Sequence, residues 1–140
     1  MKVRPAALII ENNHVLLLRY SYGNQDVYAL MGGNTDEGES LSDTLIRELR
    51  EELNIEIEVG EMLLIGEVIQ PSKSVVLHCI FSAKIIAGLP HINPHHTTAL
   101  DIGWLPIEDL KNYNLYPNIG HHIIMQQGGY VGKIEQPFFE

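Results

Sequence analysis

A single helical stretch between β-rich segments is the feature that most constrains this chain. Across residues 40–53 the leucines recur at four-residue steps, whereas the segments on either side are rich in β-branched and aliphatic residues. A recurrence of three or four residues marks one face of an α-helix, and short apolar runs between turn residues mark strands. The pattern therefore predicts one amphipathic helix against a sheet, with Ser40 as its N-cap and Asn54 as its left-handed stop.

The strand patterns begin before this helix and continue after it. Residues 6–10 and 15–18 are apolar runs on either side of polar turn residues, which predicts a hairpin. Residues 27–31 predict a short strand that stops at two glycines. Residues 55–69 and 75–86 predict a long antiparallel pair.

The last third of the chain predicts shorter elements. Residues 88–98 are typical of a loop, residues 100–105 of a strand, residues 106–110 of a brief helix and residues 118–127 of a final amphipathic helix. With 140 residues and no repeat or linker, we expect one domain over residues 1–140. Its fold class is α+β, a mixed sheet with helices packed on it.

Composition restricts the partners. The chain has 9 basic and 18 acidic residues and a net charge of -9, so duplex nucleic acid is not expected to bind and an anionic substrate requires a bound cation. No apolar run approaches the roughly 20 residues that span a bilayer, which predicts no membrane partner. Cys79 has no second cysteine to pair with, and a cytoplasmic location is expected.

Three glutamates, Glu48, Glu51 and Glu52, share one edge of the predicted helix. Their spacing places them within an arc of about 100°. Neighbouring like charges repel, and acids near a helix C-terminus oppose the helix dipole. Magnesium prefers such oxygen ligands and would offset the repulsion. The alternative is a solvated acidic face without a ligand.

The wider spacing favours the metal site. One series of residues resembles the Nudix box at eight of its nine specified positions: Gly33, Glu39, Arg47-Glu48-Leu49, Glu51-Glu52 and Ile55. The ninth position expects Gly where this chain has Asn54, and Met31 stands just before the box where many members have Pro. The resemblance implies a Nudix-type α/β/α sandwich with a mixed β-sheet, forming one hydrolase domain.

The resemblance also implies roles for the box residues. It implies a Mg²⁺ or Mn²⁺ site made by three carboxylates, Glu48, Glu51 and Glu52. A backbone carbonyl at Gly32 or Gly33 would assist them. Arg47 and Glu39 would form an ion pair that holds the loop onto the helix. Asp43, four residues before Arg47, is an alternative partner for it.

The general base stays open. In the family it is either a carboxylate of the box or an acid from a later loop. Residues 90–99 contain no Asp or Glu, which leaves Asp101 or the box itself, with Glu51 or Glu48 favoured.

Substrate contacts have weaker signals. Arg19 resembles a phosphate contact of some relatives, although a surface arginine is the commoner interpretation. Tyr20, Tyr22 and Tyr28 border the presumed cleft and could stack on a base. Pro71 lies sixteen residues beyond the box, a spacing similar to a marker of ADP-ribose pyrophosphatases, but ordinary turn chemistry explains it equally well.

The resulting expectation is Mg²⁺-dependent hydrolysis of a pyrophosphate bond in a small nucleotide, a nucleoside diphosphate linked to another group. ADP-ribose or a sugar nucleotide is the first candidate, and a nucleoside triphosphate is the nearest alternative. A ligand-binding module without turnover is a second alternative, although all three box carboxylates are present. An RNA-end hydrolase is a third, which the net charge disfavours.

Paired histidines and a pair of phenylalanines near the C-terminal end of the sequence suggest further sites. The pairs His95-His96 and His121-His122 suggest zinc, but adjacent histidines rarely chelate one ion together, so surface or cleft positions are expected. Phe138 and Phe139 could pack on a second subunit, which predicts a possible homodimer.

Overall fold

The computed structural model describes residues 1–70 and 74–136. In its first part, β1 (Lys2–Glu11), β2 (His14–Tyr22), β3 (Gln25–Ala29) and β4 (Met31–Gly32) precede helix α1 (Leu41–Leu53). The later elements follow in chain order: β5 (Glu56–Val68), β6 (Val76–Ala87), β7 (Asp101–Pro106), a 3-10 helix (Ile107–Asn112), β8 (Leu115–Tyr116), α2 (Gly120–Ile124) and β9 (Gly129–Lys133). The predictions for Pro71, Phe138 and Phe139 lie outside the described residues.

The predicted hairpin is confirmed. β1 and β2 pair antiparallel, with Ile10 opposite Val15. Asn12 and Asn13 form the turn, and both have positive φ, 50° and 60°. Asparagine tolerates this region better than most residues, which explains why a tight turn forms here.

Both predicted ends of α1 are confirmed. The Ser40 hydroxyl accepts a hydrogen bond from the Asp43 backbone N–H at 3.1 Å, which satisfies one of the free donors of the first turn. The helix ends at Asn54, which has φ 58° and ψ 36°. Its N–H bonds the Arg50 carbonyl at 3.1 Å.

The strands form one mixed sheet. Their order is β8-β3-β2-β1-β6-β5-β9, and β4 and β7 pair with β1 and β2. β1 runs parallel to β6, whereas β5 and β6 form the predicted long antiparallel pair. One apolar cluster packs beneath α1 and includes Leu45, Leu49 and Leu53. A second cluster packs beneath the 3-10 helix and α2, so the α+β sandwich is confirmed.

The C-terminal prediction was partly wrong. The helix expected over residues 118–127 is only the five residues of α2, and Gln126 follows it with a positive φ of 53°. Residues 129–133 form β9, which was not predicted and runs parallel to β5. Ile123 is the one large buried residue within α2, and Ile119 precedes the helix as its N-cap. This apolar stripe is too short to support a longer helix.

Within residues 1–70 and 74–136, none of the helices has the length and the apolar composition that a membrane span requires.

Candidate active site

The acidic edge lies where the sequence placed it. Glu48, Glu51 and Glu52 are on the C-terminal half of α1, beside buried leucines that face the sheet. The Glu48 side chain is 15% exposed and that of Glu51 is 37% exposed. The edge therefore forms the boundary between the core and the surface.

Two glycines shape the backbone opposite this edge. A Cβ added to Gly33 would collide with the Glu48 carboxylate, and one added to Gly32 would collide with the Pro5 carbonyl. Gly32 pairs with Ala6 of β1. The absence of side chains at Gly32 and Gly33 thus lets the chain pass between the sheet and the helix, against Glu48.

Arg47 and Glu39 form the predicted ion pair. The Arg47 guanidinium donates to both Glu39 oxygens, at 2.8 and 3.0 Å, and to the Asn34 carbonyl at 3.1 Å. Glu39 also accepts from the Asp36 N–H at 3.0 Å and from the Thr44 hydroxyl at 2.8 Å. These hydrogen bonds lower the pKa of Glu39 to about 2, and the bonds from Arg47 have the largest effect.

The alternative partner of Arg47, Asp43, is absent from the ion pairs found in the two described ranges. The loop before the helix supplies a further acid, Asp36, whose Oδ2 lies 3.4 Å from Arg47 Nε. The ion pair therefore connects the loop after β4 to the middle of α1, as the resemblance implied.

The same guanidinium reaches two expected metal ligands. Arg47 NH1 lies 3.1 Å from Glu48 Oε1 and 3.4 Å from Glu51 Oε2. With the side chains in these positions, no group of three His, Cys, Asp or Glu residues within 1–70 and 74–136 is arranged to hold a metal ion. Arg47 supplies the positive charge between Glu48 and Glu51 in this arrangement.

The environment of Glu52 indicates whether a cation fits beside the acidic edge. Burial, followed by the charge of Glu48 and a hydrogen bond with it, raises the pKa of Glu52 to about 8. Two carboxyl groups in contact cannot both ionise cheaply, and oxygen-preferring divalent cations relieve that repulsion. The donor set therefore suits a divalent cation.

A cavity of about 260 Å³ opens beside the acidic edge. Its polar lining side chains are Arg4, Tyr20, Tyr22, Glu52 and Tyr116. The rings of Tyr20 and Tyr22 are stacked, with centroids 6.3 Å apart and an interplanar angle of 25°. The Tyr20 hydroxyl shares a 3.1 Å hydrogen bond with the Thr97 hydroxyl. Glu52 therefore belongs to both the cavity and the acidic edge.

Two sequence candidates lie elsewhere. Tyr28 is not among the described residues that line the cavity, and its ring packs edge-on against Tyr113 at 5.1 Å. Arg19 is held by carboxylates, 3.4 Å from Asp26 and 3.9 Å from Asp101. Asp101, a candidate general base, is thus an ion-pair partner of Arg19. Neither residue is among the described residues that line the cavity.

The loop after β6 is anchored on the end of α1. The backbone N–H groups of His91 and Asn93 donate to the Leu53 and Glu52 carbonyls, at 3.1 and 2.8 Å. These carbonyls belong to the last turn of the helix and have no partner within it. The anchoring brings His96 Nδ1 to 3.9 Å from Glu51 Oε2. His121 and His122 lie on α2 instead.

Sequence reasoning missed Arg4 and Tyr116. The sequence does contain a signal for Arg4, because Arg4 lies on the same face of β1 as Ala6 and Leu8, which are both buried. A charged residue in an inward-facing row of a strand is a candidate site residue. Tyr116 had no such signal, since β8 contains only two residues.

Comparisons with known proteins agree with the fold. No curated protein sequence matches the chain significantly. The solution structure of the E. coli ORF135 protein is similar over 88% of this chain and 87% of that chain, with 25% identity and a TM-score of 0.69. The MutT protein from Methanosarcina mazei Go1 is similar over 89% of this chain and 91% of that chain, with 22% identity and a TM-score of 0.72.

An ADP-ribose pyrophosphatase from Streptococcus suis 89-1591 is similar over 96% of this chain and 98% of that chain, with 18% identity and a TM-score of 0.67. The family model of the NUDIX domain matches residues 1–125. Hydrolases of this family generally use divalent metal ions and act on small nucleotides. The chain therefore belongs to the Nudix family and is a Nudix-type pyrophosphohydrolase.

Proposed function

We propose that this enzyme hydrolyses the pyrophosphate bond of a nucleoside diphosphate linked to a second group, and that it does so as one domain over residues 1–140. ADP-ribose and sugar nucleotides are the first candidates. Mg²⁺ or Mn²⁺ would be held by Glu48, Glu51 and Glu52, with the Gly32 carbonyl as a further oxygen ligand.

One observation carries this proposal, which is that Glu52 lies in both the acidic edge and the cavity. The aromatic walls of the cavity suit the planar base of a nucleoside. The acidic edge has the oxygen donors that a divalent cation prefers, and such a cation would offset the charge of substrate phosphates. A nucleotide with its base among the tyrosines would therefore bring its pyrophosphate to α1.

In the proposed reaction, the box residues bind a cation, accept a proton and hold the loop on the helix. A divalent cation held by Glu48, Glu51 and Glu52 would supply charge neutralisation for the pyrophosphate oxygens and would lower the pKa of a nearby water. Glu51 or Glu48 accepts the proton of that water as its oxygen bonds to phosphorus and the bridging phosphorus–oxygen bond breaks. The products are a nucleoside monophosphate and the phosphorylated second group. Arg47 and Glu39 hold the loop and the helix in register.

A substrate panel tests the substrate class. Phosphate-ester products would be measured with and without Mg²⁺ for ADP-ribose, sugar nucleotides, dinucleoside polyphosphates and nucleoside triphosphates. We expect Mg²⁺-dependent cleavage, with the highest kcat/KM among the diphosphate-linked compounds. A clear preference for triphosphates would contradict the proposal and identify a MutT-like activity. Tight binding without turnover of any compound would indicate a binding module.

A glutamate substitution tests the site. Glu51→Gln keeps the shape of the side chain but removes its charge, so we expect at least a 100-fold loss of Mg²⁺-dependent turnover, in the range found for groups that act in a transition state. The matched control is Glu61→Gln, because Glu61 is exposed on β5. Unchanged turnover in Glu51→Gln would remove the proposed role of Glu51.

A further inference from the structure

Arg4 is the basic residue of the cavity, and the proposed function gives it no role. Its side chain is half-buried, and no other Lys or Arg occurs among the described residues that line the cavity. The charge of Arg4 acts on Glu52 of the same lining, but none of the ion pairs within 4.0 Å in residues 1–70 and 74–136 includes Arg4. In a chain with a net charge of -9, a half-buried arginine outside these ion pairs points to an interaction with a ligand.

Arg4 is held on a rigid part of the fold. It lies opposite His78 in the parallel pair of β1 and β6, and β1 is a central strand of the sheet. His78 is 1% exposed and packs edge-on against Tyr116 at 5.1 Å. Two residues after Arg4, Ala6 pairs with Gly32 at the acidic edge. The strand therefore fixes Arg4 relative to both the tyrosines and the pyrophosphate site.

The polar side chains of the cavity differ in whether they can distinguish hydrogen-bond donors from acceptors on a ligand. Tyrosine hydroxyls both donate and accept, so they adapt to either kind of partner. Glu52 is engaged by the cation in the proposed function. A guanidinium has only donors and cannot accept a hydrogen bond from an amino group. Arg4 is therefore the polar side chain of the described lining that can separate acceptors from donors.

Nucleobases differ in this property. Guanine and the uracil-type base present a keto oxygen where adenine and cytosine present an amino group. A donor-only side chain is complementary to the keto oxygen. Placed against an amino group, the same side chain leaves two donors facing each other without an acceptor, which costs binding free energy when the site is desolvated.

We propose that Arg4 is a specificity-determining residue whose guanidinium donates hydrogen bonds to the keto oxygen of a base seated among Tyr20, Tyr22 and Tyr116. The enzyme then prefers guanosine and uridine diphosphate derivatives to those of adenosine and cytidine. This inference rests on the proposed function. Within it, keto-base sugar nucleotides rank ahead of ADP-ribose.

The test compares four substrates that differ only in the base: GDP-glucose, UDP-glucose, ADP-glucose and CDP-glucose. For the wild type we expect kcat/KM to be about tenfold or more higher for the two keto bases, in the range of one good arginine–base contact. Arg4→Met should remove this preference by lowering the keto-base values to those of the amino bases. Arg4→Lys, which keeps a donor, should retain part of it.

Lys2→Met is the matched control, because Lys2 is exposed on the same strand and is not among the described residues of the cavity lining. It should leave all four values unchanged. A purely structural role of Arg4, or a contact with phosphate, would lower all four substrates by the same factor. Either result would overturn the inference, because the ratio between bases would be preserved.

Binding separates this inference from the proposed function. Calorimetric titration of GDP, UDP, ADP and CDP in EDTA should show the keto-base preference in the wild type and its loss in Arg4→Met. If that holds but no glucose derivative is hydrolysed, the proposed function fails and the role of Arg4 stands. If all four derivatives are hydrolysed equally, the role of Arg4 fails and the hydrolase proposal stands. If binding shows no base preference, the role of Arg4 fails, and the hydrolysis of the four derivatives decides the hydrolase proposal by itself.

Discussion

At the scale of single residues, the position of Glu48 in the acidic edge depends on the absence of a side chain at Gly33. A methyl group at Gly33 would collide with the Glu48 carboxylate. Gly33→Ala should therefore displace Glu48 without removing any charge. We expect activity at limiting Mg²⁺ to fall by about 10- to 100-fold, as when a group that orients a metal ligand is lost. Kinetics as a function of Mg²⁺ concentration measure the effect, and excess Mg²⁺ should restore part of the activity.

The matched control for this substitution is Gly103→Ala on β7. A Cβ at Gly103 would approach its nearest neighbour, Leu105 Cδ2, at 4.0 Å, which is ordinary van der Waals contact. Both variants replace the same hydrogen with the same methyl group, and only one of these methyl groups reaches the acidic edge. Equal Mg²⁺ dependence of the two variants would show that Gly33 does not position Glu48.

At this scale, spacing along the chain predicted only part of the site. The ion pair of Arg47 with Glu39 followed from the resemblance, because both residues belong to the box. The contributions of Asp36 and Thr44 to the same network did not follow. Their positions depend on how the loop folds over the helix, and a sequence pattern does not specify that path.

At the scale of elements, the end of α1 is set by Asn54. Its φ of 58° is a conformation that costs most residues about 1–2 kcal/mol. Asn54→Ala should lower the free energy of unfolding by about 1 kcal/mol, and it also removes a 3.3 Å hydrogen bond from the Asn54 amide to the His91 carbonyl. Asn54→Gly should be at least as stable as the wild type. Urea unfolding measures both variants.

Asn112→Ala is the comparison for this change, because Asn112 is exposed at the end of the 3-10 helix and is not among the residues with positive φ. Its free energy of unfolding should stay within about 0.5 kcal/mol of the wild type. If Asn54→Ala were equally harmless, the left-handed residue would not be what limits the end of the helix.

The same scale shows why some elements were predicted and others were not. β1, β2, α1, β5 and β6 are long, and their apolar periodicity is visible within each segment. β9 contains two glycines, and its strand conformation depends on β5, more than 60 residues earlier in the chain. Pairing over such a separation leaves little trace in local sequence, so the sequence predicts no strand over residues 129–133.

At the scale of the whole molecule, the sheet separates two cores, and His78 lies buried within it. Neither ring nitrogen of His78 has a hydrogen-bond partner among the described residues. Burial, and then the charge of Arg4, lower the pKa of His78 to about 4 from an ordinary value of 6.5. The native state therefore keeps this ring neutral at pH values where the unfolded chain protonates it.

The sign of the pH effect follows from this difference. Between about pH 4 and pH 6.5, the unfolded chain binds a proton that the native state excludes, so the free energy of unfolding rises with pH. The contribution of His78 is fully present above pH 6.5 and is lost as the pH falls towards 4. Its total size is about 3 kcal/mol. Urea unfolding of the wild type and of His78→Leu in EDTA, at several pH values, measures it.

The difference between the two proteins isolates His78 from other titrating groups. The pKa of Glu52 is raised from 4.5 to about 8, so between these pH values the native state binds a proton that the unfolded chain has lost. The contribution of Glu52 to the free energy of unfolding therefore falls as the pH rises, which is opposite in sign to the contribution of His78. Because Glu52 is present in both proteins, it cancels in the difference. His78→Leu should thus gain stability relative to the wild type as the pH is lowered from 6.5 to 4. His95→Leu, on the exposed loop, controls for the loss of a histidine, and a difference for His78→Leu that did not change with pH would refute the buried neutral ring.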